Sequence, residues 1–101
     1  MKPYIKTYFN YFGYTIADNL SCEVCGGSGA DIHHIHRKGM GGSKLLDIIE
    51  NLMCLCRSCH SAYGDIKQKK AWLYSIHEKV LIKFGKVFNS EWLFNQIKKY
   101  E

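Results

Sequence analysis

Apolar residues recur along this chain with two different periods. Near the start, Ile5, Tyr8, Phe9 and Phe12 return every three or four residues, which lines one face of a short helix over about residues 3–13. Pro3 suits the first turn of that helix and Gly13 its end. Further on, Ile66, Leu73, Ile76, Val80 and Phe84 repeat in the same way up to Gly85, with Asp65 at the N-cap position. Ser90 and Glu91 open another short helix through Trp92, Leu93 and Ile97. The middle of the chain is different. Residues 30–36 and 52–55 suit strands, and between them lie a basic, Gly-rich loop at 37–43 and a helical turn over 44–50. The pattern predicts an α+β fold and a single domain over 1–101, with a core at about 20–64, an N-terminal helix at about 3–13 and C-terminal helices at about 65–100.

Composition narrows the class. Hydrophobic residues at 47% and charged residues at 23% are those of an ordinary globular protein, neither disordered nor fibrous. No apolar run approaches the roughly 18 to 20 residues of a membrane span, and the aromatic-rich N-terminus lacks a signal-peptide pattern. The expected setting is cytoplasmic, with no membrane partner. A formal charge of +5 favours a polyanion. A zinc site of four thiolates would subtract roughly two charges from it, so charge supports nucleic acid only weakly.

The chemistry is concentrated between residues 22 and 60, which hold all five cysteines and four of the five histidines. With no export signal, the cysteines read as free thiols available for metal rather than as a disulfide framework. Cys22 and Cys25 form one C-x2-C pair, and Cys56 and Cys59 form another after a gap of 30 residues. Each pair lets two thiolates reach one ion from a tight turn, and two pairs complete the closed tetrahedron of a structural zinc. Cys54 is a poorer partner for Cys59, because C-x4-C makes a worse turn than C-x2-C.

Asp31-Ile32-His33-His34-Ile35-His36, then Glu50-Asn51-Leu52, then His60 directly after Cys59 complete an ordered set. With its segments CEVC, DIHHIHRKGMGG and ENLMCLCRSCH, the sequence resembles the HNH endonuclease family over residues 22–60. The resemblance implies a ββα-metal core braced by zinc, and a metal-dependent endonuclease that hydrolyses DNA phosphodiesters by nicking or double-strand cleavage. By position, it makes His33 and His60 ligands of a catalytic divalent cation (Mn²⁺, Co²⁺, Ni²⁺ or Mg²⁺), His34 the general base, and Asn51 the residue that orients that base.

Physical chemistry agrees with this division. An imidazole with a pKa near 6.5 suits deprotonation of water, provided it stays off the metal and a carbonyl fixes its second nitrogen. Adjacent helical residues diverge by about 100°, so Cys59 can face zinc while His60 faces the hairpin. Adjacent strand residues face opposite ways, so a His33–His34 pair that serves one site calls for a strand end or a distortion.

The positions where many family members carry a further helix ligand are Tyr63 and Gly64 here, leaving water or phosphate oxygens to fill the sphere. Arg37, Lys38, Lys44, Lys67, Lys69 and Lys70 are candidate DNA contacts, with a solvated surface as the plainer reading. Tyr4, Tyr11 and Tyr14 offer base stacking as the alternative to packing, and His36 and His77 are given no reaction step. So small a domain has little base-reading surface, which points to a homodimer or a targeting partner protein. The alternative from another class is a catalytically silent zinc module that binds nucleic acid or protein, and RNA is a third substrate reading.

Overall fold

A computed structural model describes residues 1–37 and 44–101. Helix α1 (Pro3–Phe12) begins at Pro3, whose missing N–H would be unsatisfied in a first turn anyway. It ends at Gly13, whose φ of 73° is left-handed. Strands β1 (Asp31–His34) and β2 (Leu52–Leu55) pair antiparallel, with Asp31 opposite Leu55 and His34 opposite Leu52. β2 has the expected bounds and is buried on both faces. β1 is shorter than the expected 30–36. Ile35 leaves the ladder at the root of the loop, although its N–H still donates to the Asn51 carbonyl at 2.9 Å. The expected helical turn over 44–50 is two 3-10 turns, Lys44–Leu46 and Ile49–Asn51, with Asp47 and Ile48 between them. Its apolar residues divide accordingly: Leu45 is 83% exposed while Ile49 is buried.

After β2 comes a short helix α2 (Arg57–Cys59), which runs on as a wider π-helical turn, His60–Gly64. The long helix expected from residue 66 starts later. A 3-10 turn at Lys67–Lys69 precedes α3 (Lys70–Phe84), whose N-cap is Lys69 rather than Asp65. The buried face of α3 is Leu73, Tyr74, His77 and Leu81, whereas Ile66 and Phe84 are largely exposed. The face differs from the apolar pattern because two polar residues find partners inside: the Tyr74 hydroxyl donates to Asn51 Oδ1 at 2.6 Å, and His77 is bonded at both ring nitrogens. Helix α4 (Ser90–Tyr100) packs on α3. Its cap is Asn89, one residue before the expected start, with Oδ1 accepting from Trp92 N at 3.0 Å.

His77 carries more of the fold than its place in the sequence suggests. Nδ1 lies 2.6 Å from Glu23 Oε1 and Nε2 lies 2.6 Å from the Ile49 carbonyl, so acceptors on both sides call for a proton on each nitrogen. Glu23 also accepts from the Tyr8 hydroxyl at 2.6 Å and from Cys54 N at 3.2 Å, which ties α1, β2 and α3 to the first cysteine pair. Burial alone would lower the His77 pKa, but the Glu23 carboxylate, by charge and by hydrogen bond, raises it above the usual histidine value. A raised folded-state pKa contributes stability that is fully present below the unfolded value near 6.5 and is lost as pH rises through the folded one. His77→Ala is therefore expected to lose about 3–5 kcal/mol by stranding a buried Glu23. In urea titrations of the zinc-loaded proteins, the gap between wild type and variant should narrow as pH rises through the folded-state value.

Candidate functional site

The four cysteines of the two C-x2-C pairs come together at one end of the hairpin, with all their sulfurs within 4.8 Å of one another. Gly26, at φ 78°, closes the first turn, where Gly26 N donates to the Cys22 carbonyl at 2.9 Å and Gly27 N to Cys25 Sγ at 3.4 Å. In the second, Cys56 caps α2, its Sγ accepting from Cys59 N at 3.3 Å. Cys25 Sγ and Cys56 Sγ lie 3.7 Å apart. A tetrahedron with Zn–S near 2.3 Å has sulfur–sulfur edges of roughly 3.8 Å, so the quartet fits a structural zinc. Burial pushes the Cys22 thiol up, but backbone N–H groups around Cys25, Cys56 and Val24 outweigh it and bring the pKa down to about 7. Cys54 stays outside the group, buried between Gly29 and Glu23, with its pKa raised by burial to about 12.

The next residue, His60, turns away from the cysteines. Its ring lies 4.6 Å, centroid to centroid, from that of His33 on β1. Asp31, two positions before His33 on the same strand face, takes His60 Nδ1 at 2.9 Å, while Arg57 approaches the same Asp31 oxygen at 3.4 Å. That bond directs the Nδ1 proton to the carboxylate and leaves the lone pair on Nε2. His33 is 6% exposed and Nε2 lies 2.7 Å from the Gly64 carbonyl, which leaves Nδ1 with the lone pair. Burial, with a smaller contribution from His60, lowers its pKa to about 4, so the ring is neutral and able to ligate near pH 7. The imidazoles of His33 and His60, with water or phosphate oxygens, are a donor set that suits a divalent transition metal.

Gly64 leaves no room for a side chain beside the two rings. A Cβ there would lie 2.5 Å from His60 Cδ2 and 3.4 Å from His33 Cε1, so the turn closes on both rings only without one. Gly64→Ala is expected to displace His60 and weaken cation binding by roughly 10-fold or more, as loss of an outer-shell partner does. Zinc content should be unchanged. Calorimetric titration with Mn²⁺, beside zinc analysis, checks both.

His34 sends its ring elsewhere. It lies 4.5 Å from the Tyr4 ring of α1, and Nε2 is 2.7 Å from Asp47 Oδ1. The two histidines thus follow regular strand alternation: His34 is the last residue of β1, the register is undistorted there, and its ring leaves on the face opposite that of His33. Asn51, fully buried, does not orient His34 by a direct side-chain bond. Its amide joins the two ends of the intervening loop: Oδ1 accepts from His36 N at 2.9 Å and from the Tyr74 hydroxyl, and Nδ2 donates to the carbonyls of His36 and Leu46 at 3.1 Å each. His36 is bonded through Nδ1 to the Tyr100 hydroxyl.

Among the candidate DNA contacts, Arg37, Lys44, Lys67 and Lys69 are exposed, and Lys69 lies 5.5 Å from the ring of Trp72, which is 41% exposed. Lys70 is turned inward, donating to the Ile35 carbonyl at 2.5 Å. Lys38 lies outside the described residues. Tyr11 and Tyr14 pack in the aromatic cluster around Phe12. Sequence reasoning missed Asp31, Asp47 and Tyr74, and it weighed Tyr4 for base stacking rather than for contact with His34. Of these only Asp31 had a readable signal, its two-residue spacing from His33.

A hairpin and a cysteine-anchored helix that face each other across paired imidazoles form a small α+β unit of the ββα-metal kind. The sequence model of the HNH endonuclease family matches residues 22–65, a little under half of the 101 residues, so the segment carrying both metal candidates is similar to that family. No curated protein and no solved structure gives a significant match to the chain. Among the described residues, no helix is long and apolar enough to cross a membrane.

Proposed function

We propose that this chain is a metal-dependent endonuclease that hydrolyses DNA phosphodiesters, with His34 as the general base and His33 and His60 as ligands of a divalent cation. The observation that carries the reading is the divergence at α2. Cys59 enters the sulfur cluster while its neighbour His60 meets His33, so one short helix and the turn after it join the cysteine cluster to a pair of imidazoles. When bound there, a divalent cation supplies positive charge that steadies the scissile phosphate and the departing oxygen. His34, on the other face of β1 with its side chain 15% exposed, receives the proton of the attacking water. Asp31 fixes His60, and Asn51 holds the loop ends beside the base. Exposed Arg37, Lys44, Lys67 and Lys69 supply phosphate contacts.

Incubation with supercoiled plasmid is the test. Cleavage should stop in EDTA and return with Mn²⁺, Co²⁺ or Ni²⁺ at least as well as with Mg²⁺, because imidazole ligands suit transition metals and Mg²⁺ prefers oxygen. A folded, zinc-loaded protein that cleaves with none of these ions would be a silent zinc module instead. Parallel incubation with single-stranded RNA separates the remaining substrate class.

A further inference from the structure

We propose that Asp47 is the positioning carboxylate of His34, a role that rests on the nuclease reading above. The contact is short and sheltered: Nε2 to Oδ1 is 2.7 Å, with the two side chains 15% and 10% exposed. Asp47 is held firmly for a residue between two short turns. Its neighbours Leu46 and Ile48 both give their carbonyls to Asn51, the first to Nδ2 at 3.1 Å and the second to the backbone N–H at 2.9 Å. Its own N–H donates to the Lys44 carbonyl at 3.1 Å. Asn51 in turn is locked by Tyr74 from α3. The Tyr4 ring, 4.5 Å from His34 and tilted by 58°, limits rotation of the imidazole from the α1 side. Asn51 therefore acts on the base at one remove, by fixing the carboxylate that touches it.

The chemical consequence is a defined tautomer. A carboxylate accepts only, so Nε2 carries the proton and the lone pair is on Nδ1. In the reaction, a water proton moves to Nδ1 as the water oxygen bonds to phosphorus. The bond from phosphorus to the leaving oxygen breaks, and that oxygen takes a proton from solvent. His34 is an imidazolium at that point, and the carboxylate at Nε2 stabilises its charge.

The experiment compares Asp47→Ala and Asp47→Asn in the zinc-loaded protein by plasmid cleavage, together with imidazole ¹⁵N shifts of His34 at a pH where the ring is neutral. In Asp47→Ala, kcat should fall by about 10- to 100-fold with KM and zinc content unchanged. Asn keeps an acceptor oxygen and should restore part of the loss. Asp47→Ala added to His34→Ala should cost nothing further, since residues that act as a unit are not additive. The wild-type ring should show the Nε2–H tautomer, and Asp47→Ala a mixture. A wild-type protein that cleaves DNA while Asp47→Ala keeps full kcat, or one whose His34 carries its proton on Nδ1, overturns this inference and leaves the nuclease reading standing. A wild-type protein that cleaves nothing overturns both.

Discussion

Replacing any one of Cys22, Cys25, Cys56 or Cys59 by Ser should unfold the protein. The sulfur cluster lies where α2, the hairpin and the Cys22–Cys25 turn meet, and the side-chain bonds of Glu23 fasten that turn to α1, β2 and α3 but not to α2. Structural zinc contributes about 10–16 kcal/mol in small domains, against a total of about 5–15 kcal/mol for a typical fold, so its loss exceeds the margin. Removal of the metal has a second cost. Four sulfurs crowd within 4.8 Å, and burial together with the neighbouring sulfurs pushes the Cys59 thiol upward, so returning zinc must displace the proton of Cys59. Strong chelator should therefore abolish the native far-UV circular dichroism and the near-UV signal of the buried tyrosines, and zinc should restore both. Cys54→Ser is the control. Its sulfur is outside the cluster, and the variant should hold one zinc per chain. Elemental analysis showing no zinc in folded protein would contradict the assignment.

The cysteine turns were legible because their chemistry is written in local spacing, and so were β2, α1 and the order of elements. Partnerships across the fold were not. Glu23 and His77 are 54 residues apart, and neither has a pattern that points to the other. A histidine bonded at both nitrogens can be buried as Leu73 is, which is why the core face of α3 differs from its apolar periodicity. The His34–Asp47 contact spans 13 residues across a loop whose path the sequence does not dictate. Asn51 is instructive in a different way. It stood out in the sequence, but its partners were set by tertiary geometry: it joins His36 to Leu46, the neighbour of the Asp47 that meets His34. The adjacent histidines show the opposite case, where the expected distortion gave way to a simple rule. Plain strand alternation already separates them, sending His33 to Gly64 and His34 to Asp47.

That separation gives the sharpest test of the proposed chemistry. His34→Ala should keep zinc, the bound divalent cation and DNA affinity, since the ring touches Tyr4 and Asp47 rather than the His33–His60 pair. Cleavage should fall by about 10²-fold or more, the low end of what a general base contributes. Excess metal should not rescue it, because the missing step is proton removal. His33→Ala should behave differently. It removes a neutral, buried imidazole beside His60 and leaves the Gly64 carbonyl unpaired, so some stability is lost along with a ligand. Calorimetry should show cation affinity weakened by at least about 10-fold, and cleavage should partly return at high Mn²⁺. Zinc content and circular dichroism, measured on both variants, separate these effects from unfolding. If both variants cleave plasmid like wild type, neither imidazole takes part in the reaction, and the HNH-type segment is better read as a zinc-braced binding module.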